Sequence, residues 1–180
     1  MYNVTSHLKI KGTAGAELNW FNFQDFKAPT TPGYESGYLQ QSQFKNQMYN
    51  FELIAIYNNR WGNFDFTGTA GGNIYKVDNR TNITTAQEMQ IRDVVALMSF
   101  NETSLQENSY RKQINSLFAA VNLGWKNLLY LDATVRGDKS STLPSGNNTY
   151  VYPSVSGSFV FSELIKNGYV LPYGKVRISY

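Results

Sequence analysis

Apolar and polar residues alternate one by one along most of this chain. In residues 128–137, Leu129, Leu131, Ala133 and Val135 fall on one parity, and Tyr130, Asp132, Thr134 and Arg136 fall on the other. Successive side chains of an extended strand point to opposite sides, so a period of two means a strand with one apolar and one polar face. A helix cannot sort these residues, because its period of 3.6 would scatter both sets around the axis.

The same split recurs. It runs through residues 8–21, where Leu8, Ile10, Leu18 and Trp20 oppose Lys9, Lys11, Glu17 and Asn19. In residues 49–58, Phe51, Leu53 and Ala55 oppose Asn50, Glu52 and Asn58. In residues 63–75, Phe64, Phe66 and Ile74 oppose Asp65, Thr67 and Asn73. Residues 112–125, 151–162 and 175–180 follow suit. About seven strands result, several longer than the usual five or six residues. Lengths of ten or more suit tilted strands that cross a bilayer. The expected fold is all-β, with antiparallel up-and-down strands forming part of a transmembrane outer-membrane barrel.

The links support that topology. Long polar links are expected at residues 24–45, 76–110 and 137–150, and short ones at 58–62 and 126–127. A link of medium length is expected at 163–172. Outer-membrane barrels have long extracellular loops and short periplasmic turns, and here long and short links alternate in phase. Thr85 with Glu88 matches a capping box before Met89, Ile91, Val94, Val95 and Met98, which predicts a short helix in the middle loop.

Composition fits a sheet between two solvents. Aromatic residues reach 15% and charged residues only 16%, against roughly 25% charged in soluble domains. The net charge is +3 with no basic run, which argues against nucleic acid. There is no cysteine, so disulfides and thiolate metal sites are excluded. No stretch of about 18 apolar residues exists for a spanning helix. No signal peptide is visible, and no domain linker interrupts residues 1–180.

Two stretches and a following strand resemble a known family. Residues 128–144, LLYLDATVRGDKSSTLP, are similar to the YLDATGRNDWSSTLP segment of SusC/RagA-like TonB-linked outer-membrane proteins. Residues 150–164, YVYPSVSGSFVFSEL, resemble that family's Y-x-YPSVS-x-SF-x-FSEL segment, and residues 173–180, YGKVRISY, resemble its FGKLRASWA strand. The three stand in family order over about the last third of the chain. Val135, Gly137 and Lys139 replace the commoner Gly, Asn and Trp, substitutions near a strand end. The resemblance implies a partial TonB-dependent receptor barrel, roughly a third of a 22-stranded wall, without the family's plug domain. It implies a partner, a SusD-like surface lipoprotein, and energy from TonB through a region missing here. It further implies a glycan or peptide substrate and a place in the outer membrane of Bacteroidetes. No enzyme activity is expected, because the residues offer no assembled nucleophile and base. The residue pattern itself leaves a soluble all-β ligand-binding or adhesion module open, with the apolar face buried against a second sheet.

Individual residues take roles from this frame. Trp20, Trp61 and Trp125, near expected strand ends, are candidates for the aromatic girdle at the membrane–water boundary. Glu52, Asp65, Asp132, Arg136, Lys175 and Arg177 are expected on a lumen-facing polar wall. Tyr34, Tyr38 and Tyr110, on long links, are the candidates for substrate contact. Pro153 is expected near a strand's start, where a missing donor is tolerated. His7 is the single histidine; with no second imidazole and no thiol it argues against a zinc site, and a serine–histidine triad would rest on it alone, at a strand start with no nucleophile-elbow signature. No cofactor is expected. Asp78–Asn82 departs from a calcium loop, with Arg80 where an oxygen ligand belongs. Gly71 and Gly72, inside a strand, mark a place of close packing.

Overall fold

The computed structural model describes residues 1–164 and 173–180. It contains one eight-stranded sheet in which sequence order is spatial order: β1 (Tyr2–Asn3), β2 (Leu8–Lys27), β3 (Tyr38–Trp61), β4 (Phe64–Met89), β5 (Phe100–Trp125), β6 (Leu129–Ser140), β7 (Thr149–Phe159) and β8 (Val176–Ser179). The strands are antiparallel and run up and down. The sheet is open, with β1 and β8 at its edges.

The strands are more numerous and longer than the alternation predicts. β1 is a short pair at the edge of β2, with Tyr2 opposite Ile10 and Asn3 opposite Lys9. β3, β4 and β5 reach 24, 26 and 26 residues, so much of the expected long links is strand. The long connections shrink to residues 28–37, 90–99 and 141–148, and the short ones are residues 62–63 and 126–128. Most of the expected link at 163–172 lies outside the described residues.

Several expectations are corrected. Residues 85–89 belong to β4, and the helix predicted there is replaced by a loop with one 3₁₀ turn, Leu97–Ser99. Ala86 is fully buried with Leu39 and Phe100, and this sheet burial outweighs the local capping signal. Glu88 closes no box; its carboxylate accepts from Asn101 Nδ2 at 3.2 Å. Tyr110 sits within β5 instead of on a link. Trp20 sits inside β2, well short of its end. Tyr38 opens β3, Lys175 immediately precedes β8, and Pro153 is the fifth residue of β7.

The chain divides into two compact units, residues 1–15, 50–75 and 113–180, and residues 16–49 and 76–112. The second has the small core just described, in which Phe26, Met89 and Leu97 pack on Leu39, Ala86 and Phe100. Its β4 and β5 segments exchange ion pairs, Arg80 with Glu107 at 3.6 Å and Arg111 with Asp78 at 3.1 Å. Asp78 and Arg80, the residues nearest a calcium-loop pattern, are thus engaged in cross-strand pairing.

The first unit is a single layer. Leu53, Leu117 and Ile178 keep 61%, 75% and 77% of their surface exposed, so among the described residues no second sheet covers the apolar face. Its turns are tight. Lys126 and Asn127 both take positive φ, 51° and 56°, and Leu128 N–H donates to the Trp125 carbonyl at 2.9 Å. That backbone twist suits a hairpin. Gly62 opens the other turn at φ 58°. His7 fixes a strand end instead of a site: its Nδ1 lies 3.1 Å from the Asn58 carbonyl oxygen, and Asn58 N–H donates to the His7 carbonyl at 2.8 Å.

Close packing at Gly71 is severe. A Cβ there would stand 2.6 Å from Phe118 Cζ and 2.7 Å from the Leu53 carbonyl oxygen, while a Cβ at Gly15 would meet nothing within 4 Å. The carbonyl belongs to the sheet and cannot swing away. Gly71→Ala is therefore expected to cost about 1–3 kcal/mol, read as a lower urea midpoint in bilayers. Gly15→Ala should leave the midpoint unchanged or slightly raised. Equal behaviour of the two variants would show that the strands do not approach as described.

Candidate functional site: the two faces of the wall

Cross-strand register turns the alternation into horizontal rows. On the odd positions of β5, β6 and β7 the rows are Asn115–Lys139–Thr149, Leu117–Gly137–Val151, Ala119–Val135–Pro153, Val121–Ala133–Val155, Leu123–Leu131–Gly157 and Trp125–Leu129–Phe159. β8 extends the last two with Ile178 and Val176. One end is a polar row, the other an aromatic one, and everything between is apolar. The apolar rows run from Leu129 to Gly137, eight residues apart on β6. At about 3.3 Å per residue and a tilt near 40°, that is a band about 20 Å high, and the polar row at Lys139 stands about 25 Å from Leu129, the height of the apolar belt of outer-membrane barrels.

The other long strands change character along the same parity. In β4 the apolar run Phe64, Phe66, Gly68, Ala70, Gly72 and Ile74 gives way to Lys76, Asp78 and Arg80. In β3 the run from Trp61 through Phe51 and Tyr49 gives way to Gln47 and Lys45. In β2 Trp20 is the last apolar residue before Asn22 and Gln24. Trp20 thus stands where its face turns polar, although the strand continues. Trp61 and Trp125 each end a strand at a tight turn, as expected. Around them Phe66 lies 5.7 Å from Trp61 and Phe64 lies 6.4 Å from Trp125, centroid to centroid. Lys126 Nζ sits 5.0 Å over the Trp125 ring.

The even positions of the same strands form a hydrogen-bonded polar surface. Asp132 accepts from Asn122 Nδ2 at 2.6 Å and from the Ser156 hydroxyl at 3.3 Å. Arg177 donates to Ser156 Oγ at 3.1 Å, so three strands beyond β5 join one chain of polar contacts. Arg136 donates to Ser116 Oγ at 3.0 Å and to Asp138 Oδ1 at 2.8 Å. The Thr134 and Ser154 hydroxyls are 2.7 Å apart. Lys175 lies 5.6 Å over the Tyr130 ring. Near the Gly62 turn, Asp65 is held by both Nε and Nη2 of Arg60, a two-pronged ion pair. Glu52, half-buried in β3, completes the expected set without joining this network. Asn122, Ser156 and Ser116 escape charge-based reasoning; their signal is register, which a sequence does not print.

Of the three expected substrate tyrosines, two come together. Tyr34, in the loop 28–37, and Tyr38 have ring centroids 5.1 Å apart, tilted by 53°. Tyr38 Oη donates to Gln40 Oε1 at 2.6 Å. In the same loop the Gly33 N–H donates to Glu35 at 3.0 Å and holds that carboxyl below its ordinary pKa. Lys27, just before that loop, is raised by its hydrogen bond and ion pair with Asp25 at 2.8 Å. Tyr110, exposed in β5, has no ring partner among the described residues.

No family model and no curated protein matches the chain. Solved structures do. The chain is similar to a structure of the RagAB peptide transporter, with a TM-score of 0.89 and 20% identity over 97% of its length. It is likewise similar to the RagAB peptide importer in a closed-closed state, at TM-score 0.89 and 19% identity, and in an open-open state, at 0.85 and 19%. At that identity the likeness establishes the fold. The chain spans about a fifth of the length of the chains it matches, 20% in each case.

The two faces make opposite demands on a charge. Val135→Arg, at the centre of the apolar band, is expected to destabilise the wall by about 2–4 kcal/mol. Thr134→Arg, one residue away on the hydrogen-bonded face, should cost well under half of that. Reversible unfolding in vesicles measures both, and equal costs would refute the division into faces.

Proposed function

We propose that this chain is part of the barrel wall of a TonB-dependent outer-membrane importer of the SusC type. The observation that carries the reading is the chargeless band of rows, about 20 Å high and bounded by a polar row, backed by a polar hydrogen-bonded face. Hydrocarbon accepts the first face because it asks for no hydrogen bond. Water or a plugged lumen serves the second, where Asp132, Arg136 and Arg177 are exposed enough to stay solvated. The open edges at β1 and β8 call for further strands, since unpaired backbone groups are prohibitive in lipid.

The substrate reading rests on two supports. The residues of the last third resemble a family of glycan and peptide importers, and three solved structures of similar fold are those of a peptide transporter or importer. Of the two substrate classes we favour peptides. The chain contributes wall, and its Tyr34–Tyr38 pair at a loop supplies aromatic faces for a ligand. Tyr110 offers a further exposed ring. A SusD-like lipoprotein serves as the surface partner, and TonB acts through a region outside these residues. The role involves no bond chemistry: selection comes from loop shape, lumen polarity and partner docking.

Two experiments test this. Single cysteines at residues 129–136 of the complete barrel, in vesicles, should react with a water-soluble maleimide only at even positions. Uniform labelling would remove the bilayer from one face and sink the barrel reading. Cells lacking the protein should lose uptake of labelled oligopeptides, and the double change Tyr34→Ala, Tyr38→Ala should lower uptake severalfold with surface levels preserved. Unchanged uptake in the deletion would refute the importer role, and unchanged uptake in the variant alone would refute the tyrosine assignment.

A further inference from the structure

The apolar face of the first unit is not smooth. It carries a cavity of about 1650 Å³, larger than the roughly 300–1,000 Å³ of a small-molecule pocket. Gly12, Gly72 and Gly137 border it without side chains, and Leu53, Leu117 and Val151 rise beside them. The packing is direct: Leu117 Cδ2 would stand 3.2 Å from a Cβ at Gly72, and Leu53 Cδ1 3.9 Å from one at Gly12. The floor is largely apolar, which suits a hydrocarbon chain.

One end of the cavity is different. Asn115, Lys139 and Thr149 all border it, and they form the polar row across β5, β6 and β7. Lys139 is the only charged residue at the alternating apolar positions of β5, β6 and β7 in this unit. Its ammonium has no ion pair or hydrogen bond with any described residue. The Asn115 side-chain oxygen accepts from Gln113 at 2.8 Å, which leaves its amide hydrogens to donate outward. The one carboxylate on the cavity's border, Glu52, comes from the opposite parity of β3 and so belongs to the polar face. A lone cation with neighbouring donors, at the end of an apolar trough, is complementary to an amphiphile with an anionic head.

We propose that this groove binds a membrane lipid bearing a phosphate, one acyl chain passing over Gly137, where a Cβ would meet nothing closer than 4.0 Å, and the phosphate meeting Lys139 and Asn115. The inference rests on the barrel reading, which makes this face the lipid-facing one. The lysine's long stem can follow the apolar wall while its ammonium reaches the headgroup level. The lipid would hold the wall at a fixed depth and fill a groove that loose annular lipid would leave poorly packed.

The test uses the complete barrel containing these strands, in nanodiscs of equimolar phosphatidylglycerol and phosphatidylcholine. Lipids retained after mild detergent extraction are counted by native mass spectrometry. The wild type should retain phosphatidylglycerol in preference. Lys139→Gln should weaken that preference about fivefold, Lys139→Arg should keep it, and Lys11→Gln, on the polar face of β2, should leave it unchanged. Gly137→Leu should lower the total lipid retained. The proposal is overturned if Lys139→Gln matches the wild type. It is equally overturned if Gly137→Leu retains as much lipid, or if the protein emerges as a lipid-free pair of copies. A barrel that never inserts, shown by tryptophan emission unaffected by lipid-borne quenchers, refutes the barrel reading and this inference together.

Discussion

Everything in this sheet follows from where its backbone can find hydrogen bonds. The first unit is a single layer with no core to hide an unpaired amide, and the barrel reading sets water on one side of it and hydrocarbon on the other. Each strand must satisfy its neighbour, and the register of β5 with β6 and β6 with β7 runs without a gap through eleven or more residues. Up-and-down order is the simplest way to do this, since each strand pairs with the one that follows it in sequence, at β3–β4 and β5–β6 after a turn of two or three residues. Side chains are then free to differ by face, because they carry none of the burden of holding the layer together.

That division explains an unusual burial pattern. Among the described residues only Leu39, Ala86, Phe100 and Val160 are buried hydrophobics, while Leu117 and Val151 are largely exposed. The buried polar groups Ser116, Ser156 and Ser158 lie on the polar face, where Ser116 and Ser156 sit under the side chains of arginines and Asp132. In a soluble protein this would be inside out. Between lipid and water it is the favourable arrangement, since apolar surface belongs in hydrocarbon and hydroxyls belong in a network.

Much of this is legible in the sequence, and the limits of legibility have physical causes. Alternation locates the seven main strands because each has a stretch where one face is apolar. It cannot follow β3, β4 and β5 further, because past Ile74 or Leu117 both faces are polar and the contrast that marks a strand vanishes. So Tyr110 reads as a link residue, and Trp20 as a strand end. The helix expected after Thr85 fails for the complementary reason. A capping box is a local signal worth about 1 kcal/mol, and burial of Ala86 between Leu39 and Phe100 is a nonlocal one. Charge alone points to the polar wall at Asp132, Arg136 and Arg177, but Asn122 and Ser156 become visible only through pairing. The aromatic pair Tyr34–Tyr38 is closest to hand, four residues apart and bent together by the loop that Glu35 braces.

Two cations of β6 show how position along the wall sets a charge's neighbours. Arg136 lies on the wet face, within the height of the band, and is paired with Asp138 and Ser116. Its planar fork reaches two acceptors at once, which suits a fixed place in a network. Lys139 lies three residues on, on the other face, at the row where that face ceases to be apolar, and no described protein group answers its ammonium. On the barrel reading, a lysine one row lower would stand over hydrocarbon and be costly, and one row higher it would be an ordinary solvated charge. That reading brings the ammonium at the boundary within reach of the anions of a membrane surface, and the groove proposed to lead up to it gives them a reason to stay.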